Sequence, residues 1–297
     1  MSTSFSFVSG DGTRLRGWTN DAAGTPLLLV NGLGTTPESW PALLAADCGY
    51  RVTTWYHRGT FGSERPADPG RIRVEDHVDD LVALMDDRGV ERALLACWSV
   101  GVNVGFELAR RHPERVAGLL AVAGLPGGTY AAMGGPLRVP RRLRHPLATL
   151  ATRGLRLAAP ALNAVVSRVP ADARTAWLLA HSGAIRPAAG ADVLVPVLER
   201  FLRHDWSWYL TLAAATAEHG PMDVSSVDVP VTLLAGRSDV LTAHADVVEV
   251  AGRLPSAEVR VLAGSHFLPL EQPGTVLAAL DALRSRSDVA APATVAG

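Results

Sequence analysis

Apolar positions along the 297-residue chain fall into two alternating patterns. Short continuous apolar runs predict strands buried on both faces. They are PLLLVNG (26–32), YRVTTWYH (50–57), ALLACW (93–98), VAGLLAVAG (116–124), VPVTLLAG (229–236) and EVRVLAG (258–264). Near the start, FSFVS and RLRGWT flank Asp11-Gly12, a turn signal that predicts a hairpin. Helical periodicity fills the gaps. RVEDHVDDLVALMDDRGV predicts a helix stopping near Gly89, VGVNVGFELARRH a helix after the 93–98 strand, and HADVVEVAGRL and GTVLAALDALR two more towards the end. TPESWPALLAADC predicts a further helix, with Thr36 as N-cap and Pro37 at its first position.

This alternation predicts an α/β fold with a doubly wound, mostly parallel sheet. It lapses from about Leu125 to Asp228, where Ala, Leu, Pro and Arg dominate without clear strands, and where the aromatics of HDWSWYL (204–210) either line a pocket or fill a helical core. So long an interruption exceeds any ordinary loop. The expected organisation is a core formed by 1–125 and 225–287, a helical cap or lid inserted over 126–224, and a flexible tail over 288–297.

Composition changes this picture little. Net charge is −1, which argues against a nucleic-acid partner, since nothing in the sum points to a phosphate-neutralising surface. All 28 Lys-or-Arg positions are Arg. The two cysteines, Cys48 and Cys97, make neither a disulfide framework nor a metal-ligand spacing, and no metal or cofactor is expected. MSTSFSFVSGDG lacks the features of a signal peptide, and no apolar stretch approaches bilayer-spanning length, LAAPALNAVV being short and interrupted by Pro160. These features predict a cytoplasmic protein without stable membrane insertion.

The candidate chemistry gathers at strand ends. Ser99 sits where the 93–98 strand meets its helix, in the small–x–Ser–x–small stretch Cys97-Trp98-Ser99-Val100-Gly101. Such a serine either caps the helix or is held at the turn as a nucleophile, where the helix start stabilises an oxyanion. Asp239 lies just past the 229–236 strand and His266 just past the 258–264 strand. Catalytic groups in open parallel sheets gather at that edge. A serine hydroxyl needs a base, and the base needs a carboxylate to fix its tautomer. Asp246 is disfavoured as the acid because it should lie inside a helix. The other histidines (His57, His77, His112, His145, His181, His204, His219 and His244) are expected at the surface, and Cys97 as a small buried thiol. Trp98 either packs beside the turn or meets substrate. Arg58 is expected to anchor loops.

Taken in order, these motifs resemble the α/β-hydrolase superfamily, in its serine-nucleophile, cap-containing, esterase- or lipase-like branch. LLLVNGLG resembles the family's oxyanion loop, with Asn31 in place of the usual His, and the match implies backbone N–H donors at Leu33 and Val100. HRGTFGSERP resembles a further family stretch, with Tyr56 where an Asp is usual and one extra residue between Gly59 and Gly62. GSHFLPLEQPG is similar to the family's histidine loop. The resemblance implies a triad of Ser99, Asp239 and His266. Relatives that open epoxides or displace halide carry Asp at the apex, whereas Ser suits acyl transfer.

The expected activity is cofactor-independent hydrolysis of a small-molecule carboxylic ester with an apolar acyl or alcohol part. Alternatives are C–C bond hydrolysis, acyl transfer or perhydrolysis by the same triad, and a non-catalytic small-ligand receptor. Candidate pocket residues are Trp98, Asn31, Trp206 and Phe267. Between Pro126 and Met222, eleven arginines face five carboxylates, which allows transient lipid contact through the cap or a lid over lipid-like acyl groups.

Overall fold

The computed structural model describes residues 2–182, 185 and 190–287. The tail expected over 288–297, and Arg186 of the insertion, lie outside the described residues.

The strands are β1 (Thr3–Val8), β2 (Arg14–Thr19), β3 (Thr25–Val30), β4 (Tyr50–Trp55), β5 (Ala93–Trp98), β6 (Val116–Val122), β7 (Val231–Gly236) and β8 (Ala257–Leu262). They form one 8-stranded sheet in the order β1-β2-β4-β3-β5-β6-β7-β8. The β1–β2 hairpin is antiparallel, as is β2 on β4, and every pairing from β4 to β8 is parallel. Gly12 makes the predicted turn at φ +86°, a backbone state that favours glycine.

Helices α1 (Val74–Asp87), α2 (Val100–Arg111), α8 (His244–Ala251) and α10 (Pro273–Ser285) alternate with the strands, and a short α9 (Leu268–Glu271) follows β8. Strand side chains alternate between two apolar layers. Leu28, Val30, Leu95, Cys97, Leu119 and Leu233 pack with α1, α2 and α8. Leu27, Leu29, Leu94, Ala96, Leu120 and Leu234 pack on the other face with Trp40 and α10. Each fully buried leucine contributes about 2 kcal/mol of transfer free energy, which explains the continuous apolar runs of β3, β5, β6 and β7.

Between β6 and β7 the described chain is helical: α3 (Thr129–Ala132), α4 (Arg141–Val166), α5 (Ala173–His181), α6 (Ala191–Leu202) and α7 (Trp206–Ala217). α4 runs through Pro160 unbroken. That proline is exposed, so water can satisfy the carbonyl it leaves without a donor.

Residues 36–48 do not form the predicted α-helix. They make two single 3₁₀ turns, Pro37–Ser39 and Pro41–Leu43, and Thr36 makes no side-chain cap. The cause is Pro41, which forces Trp40 out of helical geometry to φ −122°, ψ 65°. His57 and His77 are likewise not at the surface. Both are buried, with ring centroids 4.9 Å apart. Burial pushes the His57 imidazole down to about 3. Arg58 is an anchor as expected, fully buried, though it acts chiefly through carboxylates. It donates to Asp80 (2.7 Å) and Asp11, and to the Arg71 carbonyl at 2.9 Å.

Candidate active site

The sheet reverses its winding at β3. From there the chain steps outward to β4 and then returns to β5 on the opposite side. At such a switch point the loops leaving the two strands part, and a crevice opens at their carboxyl ends. Residues 31–35 leave β3 there, and Ser99 leaves β5 beside them.

Ser99 has φ 55° and ψ −120°, a left-handed turn that a non-glycine residue adopts only where its surroundings impose it. Its amide donates to the Val122 carbonyl at 2.9 Å. Close approach fixes the neighbours. A Cβ at Gly101 would lie 1.9 Å from the Val30 carbonyl oxygen, and one at Gly124 would lie 2.4 Å from the Ser99 carbonyl oxygen. The larger Cys97 is accommodated one helical turn further on, at Gly105, where any Cβ would meet its Sγ at 2.3 Å. Burial pushes the Cys97 thiol far above its usual range, keeping it un-ionised.

The Ser99 side chain does not cap α2. Its Oγ lies 2.8 Å from His266 Nε2, and His266 Nδ1 lies 2.9 Å from Asp239 Oδ2. The other Asp239 oxygen accepts the Leu241 and Thr242 amides, each at 2.8 Å, and the carboxylate is fully buried. With Nδ1 donating to that fixed carboxylate, Nε2 is left to accept the Ser99 proton. The two nearest loops hold the ring. Trp98 Nε1 donates to the His266 carbonyl at 2.9 Å, and Ser265 donates to Glu271 through its amide (2.8 Å) and hydroxyl (2.6 Å). The role of Glu271 escaped the sequence reading, though its place in the GSHFLPLEQPG stretch was a usable signal.

Asp246, set aside as the acid, lies in α8 and pairs with Arg141 and Arg144.

Among the described residues, neither the Leu33 nor the Val100 amide N–H has a hydrogen-bond acceptor. The loop carrying Leu33 passes directly over the serine, since a Cβ at Gly32 would sit 3.4 Å from Ser99 Cβ. Two free donors therefore flank the hydroxyl. The inserted helices close the space above them. His204, between α6 and α7, meets the Gly34 carbonyl at 2.9 Å through Nε2, and Trp208 Nε1 donates to the Arg58 carbonyl at 2.7 Å. Burial holds the His204 imidazole below its ordinary range, which leaves Nε2–H as a neutral donor. His204 is thus half-buried and engaged at this junction, unlike the surface histidine expected.

The cavity beneath the inserted helices is about 210 Å³, and Ser99, His266, Leu33 and Val100 all line it. Trp98 and Phe267 line it as expected, and Trp98 both packs and faces the cavity. Asn31 and Trp206 do not. Asn31 is buried beneath the loop, donating to Thr54 Oγ1 (3.1 Å) and accepting from Trp40 Nε1 (2.9 Å). Trp206 points instead into an aromatic group with Phe201 and Tyr209. Tyr209, one of the aromatics of the stretch HDWSWYL (204–210) that could line a pocket or fill the cap's core, does line it, and the wall missed from the sequence includes Tyr130, Met133, Phe201 and Leu241. The lining contains no Asp, Glu, Lys or Arg.

Three comparisons bear on this geometry. A carbamate hydrolase by name, RutD of Caulobacter segnis, is 36% identical over 39% of this chain, and the match spans less than half (44%) of that relative. Epoxide hydrolase A of Mycobacterium tuberculosis is 27% identical over 92% of this chain and 94% of its own. Among solved structures, the enol-lactonase of Burkholderia xenovorans superposes with a TM-score of 0.71 at 20% identity, covering 95% of this chain and all of that one. An esterase of Thermogutta terrifontis gives 0.70 at 20% identity, with 96% and 99% covered. The family model for the alpha/beta hydrolase fold matches residues 25–273. With that span, and with the sheet order and strand-end loops described, the chain belongs to the α/β-hydrolase family.

Proposed function

We propose that the protein is a serine hydrolase of small, uncharged carboxylic esters, with Ser99 as nucleophile, His266 as general base and acid, and Asp239 as the carboxylate that orients it. The observation that carries this reading is the unbroken hydrogen-bond chain from Ser99 Oγ through both His266 nitrogens to Asp239. As Oγ bonds to the substrate carbonyl carbon, its proton passes to Nε2. The carbonyl oxygen, now negative, lies within reach of the Leu33 and Val100 amides. Collapse breaks the ester C–O bond, and the departing alkoxide takes the proton from Nε2. Water then gives a proton to the same nitrogen, attacks the acyl-enzyme, and releases the acid as Ser99 regains its proton.

The nature of the nucleophile argues against epoxide opening. A serine oxygen attacking an epoxide carbon would leave an ether, which water does not cleave under these conditions. The cavity supports a compact substrate, since about 210 Å³ falls below the roughly 300–1,000 Å³ of pockets that take drug-sized ligands. Its lack of a counter-charge supports a neutral one. The helices over 126–224 act in this reading as a cap that sets substrate size.

The test is labelling by a fluorophosphonate probe together with hydrolysis of a p-nitrophenyl ester series. Labelling lost in Ser99→Ala, and kcat/KM higher for acetate and butyrate than for decanoate, is the expected result. An unlabelled native protein would favour a binding-only role, and activity rising towards decanoate would reject the size assignment.

A further inference from the structure

α4 is built the wrong way round for a helix that faces only water. In its 26 residues it buries a single side chain, Ala159, and it packs on α3 and α7 along that side. The side opposite should be polar. It carries instead Leu143, Leu147, Leu150, Leu157 and Val165, spaced so that they stack along one stripe. Exposure reaches 68% for Leu150, 87% for Leu157 and 63% for Val165. One flank of this stripe carries Arg142, Arg153 and Arg156, all exposed and in no ion pair among the described residues. No Asp or Glu occurs anywhere between Glu114 and Asp172. Arg141 and Arg144, by contrast, are tied to Asp246 on α8 and fasten the helix to the core.

We infer that α4 is a docking helix for an anionic membrane surface, lying in the lipid interface with its leucine stripe among the acyl chains and its free arginines among the headgroup phosphates. Charge complementarity identifies the occupant: an apolar stripe flanked only by arginine matches a surface that is apolar beneath and negative above. Charge argues against a second copy of the chain: a self-paired contact would set the free arginines of one stripe against those of the other, and no carboxylate occurs between Glu114 and Asp172 to separate them. Docking would also leave the active site intact, because the packed face of α4 holds the pocket wall through the Tyr130 hydroxyl, which donates to Thr152 at 2.6 Å.

The inference does not depend on the proposed esterase activity, and its test reads binding alone. The full chain is co-sedimented with vesicles of phosphatidylcholine mixed with phosphatidylglycerol, and with vesicles of phosphatidylcholine alone. Partition onto the mixed vesicles is expected to exceed that onto the neutral ones by about tenfold or more, and to fall as salt rises towards about 0.5 M. The double variant Leu150→Gln/Leu157→Gln and the triple variant Arg142→Gln/Arg153→Gln/Arg156→Gln should each lose about tenfold in partition, with thermal melting unchanged. Native protein that ignores both vesicle types would overturn the inference. So would a concentration-dependent dimer that the leucine variant abolishes, which would assign the stripe to a second copy.

Discussion

The sheet and the inserted helices divide the molecule's work unequally. Every side chain of β5, β6 and β7 is buried, and the groups proposed for catalysis sit within a few residues of strand ends or just beyond them. The inserted helices, by contrast, are covered unevenly, with α4 burying only Ala159, and they supply walls: Tyr130 and Met133 around α3, Phe201 from α6, Tyr209 and Ala213 from α7. The centre of the sheet is rigid because β3, β5, β6 and β7 each pair with two neighbours and lie between two apolar layers. The insertion meets the core through fewer ties, among them His204 on Gly34 and Trp208 on Arg58. In the proposed reading, reactive groups that must hold a few tenths of an ångström are carried by the first region, and selectivity by the second.

Substitutions in the two regions should differ in kind. The largest effect is expected in the core site. Ser99→Ala, His266→Ala and Asp239→Asn should each lower kcat by about 10⁴-fold or more, without adding to one another, while the circular dichroism spectrum stays native. A single loss near tenfold would break the assignment of chemistry to the sheet. Next comes packing beneath the serine turn. Gly105→Ala should cost about 1–3 kcal/mol by denaturant unfolding, because its Cβ meets Cys97 Sγ. Adding Cys97→Ala should recover most of that loss; absence of recovery would refute the steric link.

A smaller effect is expected where the regions touch. His204→Ala should lower kcat by about tenfold with KM and melting temperature nearly unchanged, because the Gly34 carbonyl, next to the Leu33 amide, loses its donor. His204→Gln, which keeps an N–H donor, should restore part of the activity. An equal loss in both variants would mean that the histidine only packs.

The smallest effect concerns stability against pH. His57 is held neutral by burial and by neighbouring His77, with Asp80 opposing, so its folded value lies near 3 against an ordinary value of 6.5. A histidine depressed in the folded state binds its proton only on unfolding. Its contribution is therefore present above about 6.5 and is lost as pH falls below that, by up to about 1.4 kcal/mol per pH unit. His57→Phe should flatten the decline in melting temperature between pH 7 and pH 5. An unchanged slope would place the acid sensitivity elsewhere.

Much of this was legible in residue order alone. Runs such as ALLACW read as buried strands because a strand covered on both faces has no polar alternation to confuse it. The acid after β7 and the histidine after β8 followed from the parallel sheet, which sends all such ends to one edge. Local pattern failed where a single backbone group decided: Pro41 broke a segment whose apolar spacing looked helical. It failed again for direction. Asn31 and Trp206 were well placed in the chain, yet one turns beneath the loop and the other into the aromatic cluster.

Residue order alone carries the strand–helix alternation and the succession of Ser99, Asp239 and His266 at strand ends, because periodicity and turn chemistry act over a few neighbouring residues. Which side chains face the cavity, how large that cavity is, and that the leucines of α4 look outward emerge with the folded packing. Those properties depend on how distant segments pack together, and no stretch of chain carries that information alone.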